Sequence, residues 1–197
     1  MAETVAGELY VSITGQLFEI GRQLRQPNGY PFDPLQLRVA LQAAIEGRFG
    51  QGQELVSYPV SIDYSRSLAT MIFAGKYDWV HSDITEKRFP VQGSGIVGRE
   101  LVLCHYDRPT ERGEPERLIE HAGYELASIE DLLSFGEKYP EKQRNYPIIP
   151  LGSTAEVHGR HVVPYLGRDG SGRGLRLASG DGWGGHCRFL ARKHFGA

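Results

Sequence analysis

Six short stretches of this chain hold residue types that do chemistry. They are DGSGRG at 169–174, HGRH at 158–161, the cysteine–histidine neighbours at 104–105 and 186–187, and the acidic helices EPERLIEH and SIEDLL. Backbone N–H groups in a glycine-rich turn can wrap an anion. A nucleotide-phosphate loop also needs a strand before it, a helix after it, and usually Gly-Lys followed by Ser or Thr. Here RLAS follows, with Leu175 and Leu177 at period two, so the glycines lead into a strand. His158 and His161 stand three apart and face opposite sides of a strand, and no acidic or cysteine partner lies at a familiar ligand spacing. Adjacent strand residues also point to opposite faces, which argues against Cys104 with His105 and His186 with Cys187 as thiol–imidazole dyads. The cross-pair of Cys104 with His186 stays open. The acids sit on amphipathic helices, where they form the solvated face. No catalytic residue, metal ligand or cofactor is assigned.

The 197 residues suffice for one good core, or for a small domain with an extension. A formal charge of -2 supplies no basic field for nucleic acid. The cluster Arg188, Arg192, Lys193 and His194 is too short to reverse that. Two cysteines without CxxC spacing write neither a disulfide framework nor a zinc knuckle. The first residues carry no basic-then-apolar leader, and no apolar run reaches membrane-spanning length. The expectation is a reduced, cytoplasmic protein that engages neither membrane nor nucleic acid.

The elements follow from periodicity and caps. Leu17, Ile20 and Leu24 predict a helix over 15–26, capped by Ser12 or Thr14 and stopped at Pro27-Asn28-Gly29. Asp33 as cap, Pro34 at the first helical position and Gly47 as stop frame a second. Pro59 demotes LVSYPVSIDY to an edge strand or a bulge. Ser67 and Gly75 bracket a short helix. RELVLCHYD reads as a buried strand, EPERLIEHAG as a helix, and SIEDLLSFGEKYP as a helix with Ser128 as cap and Asp131 as capping acid. Short strands joined by glycine-rich turns close the chain. Helices first and strands afterwards predict an α+β fold, with a helical and mixed segment at 1–98 packed on a compact domain at 99–197.

The second half carries a recognisable pattern: AGYELASIEDLLSFGEKYPEKQRNYPIIPLGS, then GRHVVPYL, RGLRL, Trp183 and CRFLARK. Over residues 114–194 it resembles the C-type-lectin-like (formylglycine-generating-enzyme-like) variable proteins of diversity-generating retroelements and their undiversified bacterial relatives. The resemblance implies a scaffold that displays replaceable side chains, and mutated adenines that never yield Lys, Glu, Gln, Met or Trp. None of those five occurs between Gly167 and Cys187 except Trp183, the residue the family pattern keeps as scaffold. Calcium serves many lectin-like sites, but no acidic, carbonyl-rich loop is evident here.

The expected function is a ligand- or protein-binding module that meets an unidentified protein or small ligand through residues 167–187. Asp169, Ser171, Arg176, Ala178, Ser179, Asp181 and His186 are the expected contacts. Leu175, Leu177, Trp183, Arg188, Phe189 and Leu190 are the expected scaffold. In RGLRLAS the leucines face the core, so Gly174, Arg176 and Ala178 face outward. Two rivals stand beside this reading. One is an enzyme of the formylglycine-generating-like class, which would need reactive cysteines or a metal. The other is a structural module whose N-terminal helices form a homo-oligomer. Free thiols are the first expectation to check: titration of denatured, unreduced protein gives two, whereas finding none would overturn the reduced reading.

Overall fold

The computed structural model describes residues 7–26, 34–45, 55–170 and 172–193. The chain divides into two compact units, Met1–Gly52 and Gln53–Ala197. The first holds α1 (Gly7–Gln23) and α2 (Pro34–Ile45). Helix α1 starts earlier than its sequence signals suggest, and Ser12 and Thr14 lie inside it. The Thr14 hydroxyl donates to the Tyr10 carbonyl at 2.8 Å, which satisfies it without a capping role. Asp33, Gly47 and the stop at 27–29 lie outside the described residues.

The second unit begins with β1 (Tyr58–Asp63), α3 (Leu68–Ala74), β2 (Trp79–Val80), β3 (Ile96–Cys104), β4 (Thr110–Glu111) and α4 (Glu114–His121). It continues through β5 (Tyr124–Leu126), α5 (Ile129–Lys138), the 3-10 turn η1 (Lys142–Arg144), β6 (Ile148–Pro150) and β7 (Ala155–Val157). It closes with β8 (Arg160–Asp169), β9 (Gly172–Ser179), β10 (Gly182–Trp183) and β11 (Arg188–Lys193). Helices beside a large mixed sheet make the fold α+β.

Among the described residues the sheet has nine strands, in the order β1-β3-β11-β6-β8-β9-β2, with β5 added on β11 and β7 on β8. Strand β1 is an edge, one of the two places that Pro59 allows. Its six-residue register against β3 ties 58–63 into the same sheet as 96–104. The division of the chain therefore falls at 52/53 rather than at 98/99.

Strand alternation builds a core on each face. Leu101, Ile148, Leu166, Leu175 and Leu190 point to one side, where Leu132, Leu133 and Phe135 of α5 and Leu68 and Met71 of α3 cover them. Val102, Cys104, Ile149, Val163, Phe189 and Ala191 point to the other, against Ile119 of α4, Trp183 and Cys187. Helix α5 is entered through a capping box in which the Ser128 amide donates to Asp131 Oδ2 at 2.7 Å. Residues 129–136 are then all buried. Gly136 is required there, because a Cβ on it would collide with the Tyr77 hydroxyl.

Trp183 reaches the second core from β10, which pairs with β4, and meets Phe189 edge-to-face at 6.0 Å between centroids. Phe189→Ala or Trp183→Ala is expected to cost about 3–5 kcal/mol. A denaturant midpoint unchanged by either substitution would remove these residues from the core.

Candidate functional site

Strands β8 and β9 form an antiparallel hairpin in which Tyr165 faces Arg176 and Gly167 faces Gly174. The odd positions of β9 turn toward α5. Leu175 is fully buried and Leu177 packs against the same core, and Arg173, 7% exposed, enters between helices. Its Nη1 donates to the Gly75 carbonyl and its Nη2 to the Gly136 carbonyl, both at 2.8 Å, and its Nε donates to Gln143 Oε1 at 3.2 Å. Gln143 Nε2 in turn donates to the Gly167 and Gly174 carbonyls at 2.8 and 3.2 Å. Tyr77 lies beneath the guanidinium, 5.1 Å from its ring centre. Desolvation pulls the Arg173 pKa down from its ordinary value, against a smaller upward pull from Tyr77. The phosphate-loop question about DGSGRG thus has a structural answer: its arginine faces inward and binds carbonyls.

The even positions of β9 turn to the other face. Strand β2 runs parallel to β9, with Trp79 opposite Gly174. The Asp78 amide donates to the Arg173 carbonyl at 2.8 Å, and the Arg173 amide donates to Asp78 Oδ2 at 2.6 Å. This seats Trp79, 48% exposed, beside Arg176, whose guanidinium lies 5.1 Å from the indole centre. The facing glycines leave room for their neighbours to lie flat. A Cβ on Gly167 would meet the Tyr165 ring at 2.9 Å, and one on Gly174 would meet Arg176 Nε at 2.9 Å. The result is a low patch of Trp79 and Arg176 at the end of the sheet, with Tyr165 beside them, half-buried against the second core.

The other expected contacts do not join it. Ser171 and the side chain of Asp169 lie outside the described residues. Ala178 is a correction: it is partly buried and packs against the second core, because loop 180–187 returns across that face and covers it. Ser179 and Asp181 do meet, with the hydroxyl donating to Oδ2 at 2.6 Å. Asp181 also lies 3.9 Å from Arg112, beside β4. His186 is exposed just before β11, separated from β9 by two strands of the sheet order. The expected surface at 167–187 is therefore several places rather than one. Of the expected scaffold, Leu175, Trp183, Phe189 and Leu190 are buried, and the Arg188 guanidinium stacks 4.7 Å from the centre of the Tyr146 ring.

Sequence reasoning does not place Trp79 and Tyr165 beside Arg176. A two-residue strand paired in parallel with a distant one leaves no local sequence signal. The Trp-Val pair in an extended stretch and the tyrosine opposite an outward arginine were the available hints.

Cys104 and Cys187 are free and buried in the second core. Burial pushes the Cys104 thiol up to about 12 and raises that of Cys187, so both stay protonated at neutral pH. His105 Nε2 is 2.8 Å from the Gly185 carbonyl. His158 occupies a left-handed turn position at φ 50° before Gly159. Among the described residues no group of three His, Cys, Asp or Glu side chains converges as a metal site would, and no helix is long and apolar enough to cross a membrane.

No family model matches the chain, nor does any curated protein or solved structure.

Arg173 is the residue on which the site rests. Arg173→Met leaves acceptors without donors, each costing about 1–3 kcal/mol. Arg173→Lys recovers only part, because an ammonium lacks the planar fork. Urea unfolding checks both, and a methionine variant as stable as the native chain would show that these bonds hold nothing together.

Proposed function

We propose that this chain is a binding module that takes a protein partner on the outer face of β9, through Trp79, Arg176 and Tyr165. The observation that carries the reading is the exposed Trp79 with the Arg176 guanidinium stacked on it. Trp, Tyr and Arg are the residues in which binding energy concentrates at protein interfaces. Here they are held flat by facing glycines and backed by a buried network. Rigid planar groups lose little freedom when a partner arrives. The partner would present apolar or aromatic surface to Trp79 and a carboxylate to Arg176.

The resemblance over 114–194 gives this reading its biological form: a C-type-lectin-like scaffold whose outward residues are replaceable, as in retroelement variable proteins. Two features support it. The Arg176 side chain turns away from the α5 core, so its identity does not constrain that core. The residues that fill the cores, Leu175 and Phe189 among them, belong to the pattern that carries the resemblance.

Trp79→Ala with Arg176→Ala is expected to weaken partner binding by at least about 2 kcal/mol per residue, or roughly 30-fold each. Melting should move little, because exposed positions contribute within about 0.5 kcal/mol. The measurement pairs a melting curve with cross-linked capture from native lysate and titration of the captured protein. Capture and affinity that survive the double substitution would place the binding surface elsewhere.

A further inference from the structure

On the opposite face of the sheet, where the apolar floor under α5 ends, lies a cleft of about 630 Å³. Its floor continues the core rows in polar residues: Arg99 follows Leu101 along β3, and Arg192 follows Leu190 along β11. One wall is the segment 88–94. The other is the start of α5 together with 152–154. Small-molecule sites commonly measure about 300–1,000 Å³.

Of the polar groups lining the cleft, Arg88, Arg192, Glu130 and Ser153 already have partners. Arg88 is bonded to Asp83. Arg192 Nε donates to Asp131 Oδ2 at 2.6 Å. Glu130, 2% exposed, accepts the Gln92 amide at 2.7 Å. Ser153 Oγ accepts the Ile129 amide at 2.8 Å. Arg99 differs, because its Nε is buried and has no acceptor. A buried donor without an acceptor costs about 1–3 kcal/mol, and more when charged. An arginine cannot escape that cost by losing its proton.

We propose that this cleft binds a small organic molecule through one oxyanion, a carboxylate or a phosphate, seated on Arg99. The planar guanidinium matches such a group with two parallel hydrogen bonds. Ser94 and Thr154, which also line the cleft, supply hydroxyls that adapt to either geometry. Glu130 is the carboxylate among the lining residues, and it sets the limit on charge: a single oxyanion balances Arg99, and a second meets Glu130 in repulsion. The site is independent of the patch at Trp79 and Arg176, which lies across the sheet.

The test follows the Arg99 Nε–H proton by ¹H–¹⁵N NMR, with Arg99→Lys giving its assignment. Inorganic phosphate and acetate are titrated separately, and exposed Arg117 serves as the internal control. The expected result is a saturable shift at Arg99 with at least one probe, while Arg117 responds weakly and linearly; the probe that saturates identifies the oxyanion. The same probe should raise the melting temperature of the native chain and not that of Arg99→Gln. A response at Arg99 no different from that at Arg117 with both probes would overturn the proposal, as would an equal rise in melting temperature for Arg99→Gln. The titration of the native chain decides the matter even if a variant fails to fold.

Discussion

A guanidinium enclosed by protein and answered by carbonyl oxygens is the constraint around which this fold is arranged. Arg173 donates to Gly75, which caps the end of α3, and to Gly136 near the end of α5. Carbonyls toward the C-terminus of a helix carry a partial negative charge, so two helix ends together compensate one buried cation. Gln143 then links the same cation to the carbonyls of β8 and β9. One side chain thus fixes two helices, a 3-10 turn and a hairpin in mutual register. Leaving any of these acceptors unanswered costs more than the bond itself contributes. The close approach of Tyr77 to Gly136 leaves no room for a larger residue at that helix position.

The sheet divides its labour by face and by length. Under α5 and α3 it is apolar, and past the start of α5 it becomes the polar floor that holds Arg99. On the other side α4, Trp183 and the returning loop 180–187 cover the middle strands. They leave the β9 end to Trp79, Arg176 and Tyr165. Both surfaces arise from the same alternation of side chains. What distinguishes them is the reach of the covering elements.

The elements themselves were largely legible in the sequence. Ser67 accepts the Thr70 amide as a cap, Ser128 and Asp131 form their box, and Pro59 does lie on an edge strand. Local signals settle such matters because capping and alternation act within a few residues. The candidate patch was only partly legible. The period of Leu175 and Leu177 gave Arg176 its direction, yet nothing local says that residue 79 will lie beside residue 174. Period alone also turned Ala178 outward, when the later loop covers it. Arg173 shared a stretch with flexible glycines, so its burial was invisible until α3, α5 and η1 met around it. Arg99 looked like an ordinary strand residue for the same reason.

Strand β11 pairs with β3, β5 and β6, and so stands in the interior of the sheet although it follows them all along the chain. During synthesis the earlier strands leave the ribosome with their central neighbour still unmade, and Leu101, Ile148 and Val102 have no complete floor to bury against. Closure of the sheet waits for residue 193 to emerge. Until then the open edges of β3 and β6 can pair with other chains. The sheet of this unit therefore closes only once β11 has been made, and its interior strands are the last to gain both of their neighbours.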